Sequence, residues 1–156
     1  MASPRLNGGR WSDPGQWYVI TTVTRERIPF LTDPALAQAT AAQIQSIAID
    51  AAETHAWVVM PEHLHWMIQL GSTVGLSQLI QMFKSKSAIA INRLRGSSGT
   101  VWQPGFYDHR LRNDEDFAAQ ARYIVANPVR RGIVQRIEEY PHWWCRWIAN
   151  GADMAM

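Results

Sequence analysis

Two histidines, His63 and His65, stand two residues apart in the segment Met-Pro-Glu-His-Leu-His-Trp-Met-Ile-Gln-Leu, residues 60–70. On a β-strand, side chains two apart point to the same side. A strand here therefore aims both imidazoles at one point, where they can share a metal ion. Much later in the chain, Tyr123 and Asn127 are four apart, a spacing at which helical side chains project from one side. The proline after Asn127 disfavours helical backbone there, which puts Asn127 in a final, partly unwound turn. A phenol, with a reference pKa of about 10, is a poor nucleophile at neutral pH. A bound divalent metal helps by polarising and orienting the phosphate under attack. His63, His65 and the carboxamide oxygen of Asn127 would give three ligands and leave positions open for substrate oxygens. Plainer readings stand beside this one: a structural histidine pair, and a tyrosine packed in the core.

These four residues need elements to hold them. On the histidine strand, Leu64, Trp66, Ile68 and Leu70 form an apolar row that wants a core, opposite the row His63, His65, Met67 and Gln69. The apolar run 56–60 precedes it, and Pro61-Glu62 reads as the turn of a hairpin. Residues 17–24 are β-branched and aromatic with no polar side, as in a central strand covered on both faces. Thr32 or Asp33 can cap an Ala-rich helix, with Pro34 in its first turn, that is expected to run to about residue 53.

A second helix is expected over 76–95, with Leu79, Met82, Phe83 and Ile89 as its apolar stripe. Its other face carries Lys84, Lys86, Arg93 and Arg95 and no acid, which suits either solvent or phosphate. After a Gly-Ser-Ser-Gly loop, residues 106–111 predict a fourth strand. Asn113 is expected to cap the last helix, with Asp114, Glu115 and Asp116 in its first turn and Pro128 as its stop. The aromatic tail 140–147 should pack on the body. This order predicts an α+β fold: a ferredoxin-like (RRM-like) βαββαβ sandwich with an antiparallel sheet, plus a C-terminal helix carrying Tyr123.

At 156 residues the chain reads as one domain, expected over 16–149. A flexible N-terminal arm, 1–15, carries Arg5, Arg10 and Trp11, and a frayed tail covers 150–156. The net charge is +2 and the pI about 9.0, which permits a polyanionic partner. The single cysteine, Cys145, rules out an intramolecular disulfide and fits a reducing cytosol. No apolar run approaches the ~20 residues of a membrane span, and the N-terminus lacks the apolar core of a signal peptide. A cytoplasmic protein is expected, with no membrane partner.

Several motifs, in order over residues 17–134, carry a family resemblance. His63-Leu64-His65, preceded by Met-Pro-Glu, resembles the HUH motif of single-tyrosine transposases that act on single-stranded DNA. Residues 123–134, Tyr-Ile-Val-Ala-Asn-Pro-Val-Arg-Arg-Gly-Ile-Val, resemble the nucleophile helix of the REP-associated branch. Residues 102–109, Trp-Gln-Pro-Gly-Phe-Tyr-Asp-His, match the same branch, as do Thr21-Thr22-Val23-Thr24 with Pro29-Phe30. The resemblance implies an HUH endonuclease fold in which Tyr123 attacks a DNA phosphate, forms a 5′-phosphotyrosine link and releases a 3′-hydroxyl. It implies Mg²⁺ or Mn²⁺ on His63 and His65, with Asn127 as third ligand. The implied substrate is folded single-stranded DNA, such as imperfect hairpins of repetitive extragenic palindromes. A nucleoid-associated monomer or homodimer would fit that substrate.

His109 is a further candidate, for proton relay or DNA contact, or else a structural histidine beside Asp108. Lys84, Lys86, Arg93, Arg130, Arg131 and Arg10 are candidate DNA contacts. Two rival functions are weighed. A non-catalytic nucleic-acid-binding ferredoxin-like module would stack bases on exposed aromatics of the central strands, where this chain carries imidazoles instead. A metal-dependent hydrolase of small phosphoesters would use water in place of Tyr123.

Overall fold

The computed structural model describes residues 12–148. Arg10, most of the N-terminal arm and the tail 150–156 lie outside the described residues. Five strands form one antiparallel sheet: β1 (Trp17–Val23), β2 (Ala52–Val59), β3 (His63–Leu70), β4 (Tyr107–Leu111) and β5 (Trp143–Cys145). Their order is β4-β1-β3-β2-β5. With α1 (Pro34–Gln45) and α2 (Leu76–Arg95), the first four strands give the expected βαββαβ plan. The added helix is α3 (Phe117–Val125), followed by the short α4 (Asn127–Arg130). Among the described residues no helix is long and apolar enough to cross a membrane.

The sheet separates two apolar layers. On one face, Ile20, Leu64, Trp66 and Ile68 meet Leu36 and Ile44 of α1 and Leu79, Ile80 and Phe83 of α2. On the other, Val58 and Met67 meet Ala121, Ile124 and Val125 of α3, with Tyr140, Cys145 and Ile148 from the tail. β3 serves both layers because its side chains alternate. Trp66 is wholly buried, and its indole N–H donates to Thr54 Oγ1 at 3.0 Å. Trp66→Ala should cost about 3–5 kcal/mol. Urea unfolding would report it as a lower midpoint at unchanged slope.

The structure corrects the expected boundaries in three places. The first helix ends at Gln45, well short of residue 53. Strand pairing overrides helix propensity there: Ala52, Glu53 and Thr54 pair with Leu70, Gln69 and Ile68. The neighbouring turn closes on Gly71, where a Cβ would fall 2.0 Å from the Asp50 carbonyl oxygen. Second, the cap of α3 is Asp116, whose carboxylate accepts from Ala119 N–H at 3.0 Å; Asn113 lies in the preceding turn. Third, Pro128 does not stop the helical backbone but divides it. Ala126 (φ −78°, ψ 0°) separates α3 from α4, and Pro128 sits in the first turn of α4, where its missing N–H costs little.

The tail packs on the body as expected and adds one strand more, β5, which pairs with β2. The described end of the arm is tied down. Ser12 Oγ accepts from Leu76 N–H at the start of α2, and Gly15 N–H donates to Leu70 O at 2.7 Å.

Candidate active site

His63 and His65 lie on β3 opposite Val23 and Thr21 of β1. Their ring centroids are 4.8 Å apart, nearly edge to face. Each imidazole is oriented by a bond at Nδ1. His63 Nδ1–H donates to Glu62 Oε1 at 2.8 Å, and His65 Nδ1 meets Thr21 Oγ1 at 2.9 Å. With Nδ1 engaged, Nε2 is the nitrogen each ring would offer to a cation, the arrangement common behind metal-bound histidines.

Burial lowers the His63 pKa, with Glu62 opposing that effect. Burial also pushes His65 down to about 3, assisted by His63 and Arg130. Both rings are neutral at pH 7 and keep a lone pair for a cation. Burial would raise the Glu62 carboxyl, but hydrogen bonds from Arg131 and His63 outweigh it and hold it below its ordinary value.

Asn127 joins them. It is only 8% exposed, and its carboxamide lies 3.4 Å from His63 Nε2. A half-turn of the amide presents its oxygen in place of its nitrogen. A cavity of about 320 Å³ is lined by Thr21, Val23, Arg27, His63, His65, Tyr107 and Asn127. Among the described residues no three His, Cys, Asp or Glu side chains gather into a metal cluster. A cation in this cavity would therefore rest on two imidazoles and one amide oxygen. Of that set the amide oxygen is the donor type that Mg²⁺ and Mn²⁺ prefer, and substrate oxygens and water would have to supply the remaining positions around the two imidazoles.

Tyr123 is not among the lining residues. It is 60% exposed, on a helix that buries Ala121, Ile124 and Val125. The expected common projection of Tyr123 and Asn127 fails at the break at Ala126, which turns Asn127 inward and leaves the phenol outside. The Arg130 guanidinium covers the Tyr123 ring, 3.7 Å from its centroid, and donates to the Tyr123 carbonyl. Even so, α3 covers the sheet face that carries Met67, the same face as the imidazoles.

The other candidates divide. Arg131 pairs with Glu62 at 2.5 Å and so touches the site through His63's partner. Lys84 is half-buried, donates to the carbonyls of Gln103 and Gly105, and is lowered to about 8 by burial. It anchors a loop, and this corrects its reading as a free phosphate contact. Lys86 and Arg93 are exposed on α2, which covers the opposite face of the sheet. His109 is exposed on β4, where its ring meets Glu115 at 3.2 Å, and it does not line the cavity of His63 and His65. Sequence reasoning missed Glu62, Thr21, Tyr107 and Arg27. For Glu62 the signal was present, a carboxylate beside the first histidine.

Glu62→Gln should weaken Mn²⁺ binding ~10–100-fold, with the fold intact by circular dichroism. The EPR signal of free Mn²⁺ reads this directly. Unchanged affinity would confine Glu62 to its bond with Arg131.

A family model described as "Transposase IS200 like" matches residues 14–127. A REP-associated tyrosine transposase of Escherichia coli (strain K12) is 32% identical over 93 residues, 57% of this chain and 52% of that protein. The alignment thus spans about half the length of that relative. A protein of Haemophilus influenzae, provisionally given the same name, is 28% identical over 139 residues, 82% of this chain and 78% of its own. Among solved structures, a REP-associated tyrosine transposase bound to a REP hairpin superposes with a TM-score of 0.67 at 26% identity. That match covers 92% of this chain and 82% of the other.

Proposed function

The chain belongs to the IS200-like transposase family, and on that premise we propose that it is a single-stranded DNA endonuclease and strand transferase. Its substrate is hairpin-bearing, REP-like DNA, and its intermediate is a 5′-phosphotyrosine on Tyr123. The observation that carries this reading is the convergence of His63, His65 and Asn127 on one cavity. The relative solved with a REP hairpin supports the substrate class.

In this reading His63, His65 and the Asn127 amide oxygen hold Mg²⁺ or Mn²⁺. Bound there, the cation polarises a phosphate oxygen and offsets charge in the transition state. The remaining work belongs to the chain. Tyr123 Oη gives up its proton and bonds to phosphorus. The P–O3′ bond breaks, and the departing oxygen takes a proton to become a 3′-hydroxyl. The phosphotyrosine conserves the ester, so a 3′-hydroxyl of another strand can attack phosphorus, release Tyr123 and complete the transfer. For this step the Tyr123 side chain has to leave Arg130 and come to the cavity, which it does not line.

The test is direct. Protein, Mn²⁺ and a panel of labelled hairpin oligonucleotides are mixed and resolved on a denaturing gel. The expected product is a protease-sensitive covalent adduct that EDTA abolishes. Absence of any adduct across the panel overturns the reading. The exposed position of Tyr123 favours one rival, a hydrolase that uses water, for which hydrolysis would proceed without an adduct.

A further inference from the structure

Glu26 and Arg27 have φ of 53° and 55°; they are the non-glycine residues with positive φ among the described residues. Left-handed backbone is costly for residues with a Cβ, and it persists only where the surroundings hold it. Here they do. The turn starts at buried Thr24, whose N–H and hydroxyl both donate to the Glu62 carbonyl, at 2.9 and 3.0 Å. The same hydroxyl reaches Ile28 O at 2.7 Å. Arg27 N–H returns to Thr24 O at 3.0 Å, and Arg25 N–H donates to Val101 O at 2.8 Å. The turn is therefore clamped to the residue just before His63 on one side and to the 101–106 loop on the other.

What this strained turn achieves is the placement of Arg27 on the wall of the His63–His65–Asn127 cavity. Its charge is felt by His63. The other arginines near the site are occupied: Arg131 by Glu62 and Arg130 by Tyr123. Among the described residues Arg27 has no hydrogen-bonding side chain or carboxylate partner. A guanidinium presents a planar fork of donors that matches two phosphate oxygens, and a donor held in advance where charge develops lowers a barrier without reorganising.

We propose that Arg27 is a catalytic residue that grips the non-bridging oxygens of the scissile phosphate, across the cavity from the two imidazoles. This rests on the transferase reading above.

The experiment is single-turnover cleavage of a labelled hairpin, with excess full-length protein and Mn²⁺, by wild type, Arg27→Gly and Arg27→Lys. Glycine accepts the left-handed backbone, so Arg27→Gly removes the side chain and relaxes the turn together. Its melting temperature should be equal to or above wild type, while cleavage falls ~10²-fold and hairpin binding falls less than about threefold. Arg27→Lys should recover part of the rate. A neutral methylphosphonate at the scissile position should shrink the gap between wild type and Arg27→Gly to less than about threefold. A gap that survives the neutral linkage, or binding that falls as far as cleavage, overturns the assignment. So does Arg27→Gly cleaving like wild type, and in that case the transferase reading stands. Wild type forming no adduct overturns both.

Discussion

Tyr123→Phe should abolish the covalent protein–DNA adduct, lowering cleavage by ~10⁶-fold, the order of loss seen when a nucleophile is deleted. Hairpin binding should stay within about twofold. The substitution removes one hydroxyl from a side chain that is already 60% exposed, so stability should move by no more than about 0.5 kcal/mol. The ring remains, and with it the surface on which Arg130 lies. The change is thus confined to the oxygen that must bond to phosphorus. An adduct that survives Tyr123→Phe would assign the nucleophile elsewhere. Strand scission at the wild-type rate without any adduct would assign it to water. Gel shift, adduct yield and scission on the same oligonucleotide separate these outcomes.

His63→Ala should lower cleavage ~10³-fold, the equivalent of the several kcal/mol a metal supplies to charge stabilisation. It should also remove measurable Mn²⁺ binding by calorimetry in the absence of DNA. Affinity for the hairpin should largely persist, because phosphate contacts, to which His63 would not contribute, supply most of such affinity. His63 is buried, so the fold must be checked. Glu62 keeps Arg131 as a partner after the change, which limits the cost of the lost imidazole. Equal loss of DNA binding and cleavage, with a depressed melting temperature, would make His63 a structural residue. Cleavage retained without Mn²⁺ binding would end the metal reading.

Much of this arrangement was legible in the residues. Alternation on β3 gave the apolar row and the imidazole row, and both lie where a pleated strand puts them. The bounds of α2 were legible, and Gly96, with φ of 61°, ends the helix in the left-handed region; its apolar stripe was misplaced at Ile89, which is exposed, while Ile80 and Ile91 are buried beside Leu79 and Phe83. The end of α1 was hidden because alanines favour a helix until a strand partner claims them. β5 was hidden because three aromatic-rich residues become a strand only by pairing with β2. Lys84 shows a further limit. A lysine on a helix looks the same in sequence whether it meets solvent or the carbonyls of a distant loop.

Arg27 was illegible for a related reason. Its backbone is set by bonds to Glu62 and Val101, far away in the chain. The Tyr123–Asn127 spacing foretold a shared side only for an unbroken helix. The proline that places Asn127 in the cavity is the same residue that breaks the repeat.

On β3 the ligands and the packing residues are interleaved one by one, so the chemistry is indexed to the parity of the chain. A residue gained or lost between Glu62 and Trp66 would invert everything downstream. An indole would then face the tyrosine helix, and the chain would press polar groups into the oily layer beneath α1 and α2. Point changes can tune this protein by degrees, but a change of length at that place has no intermediate setting.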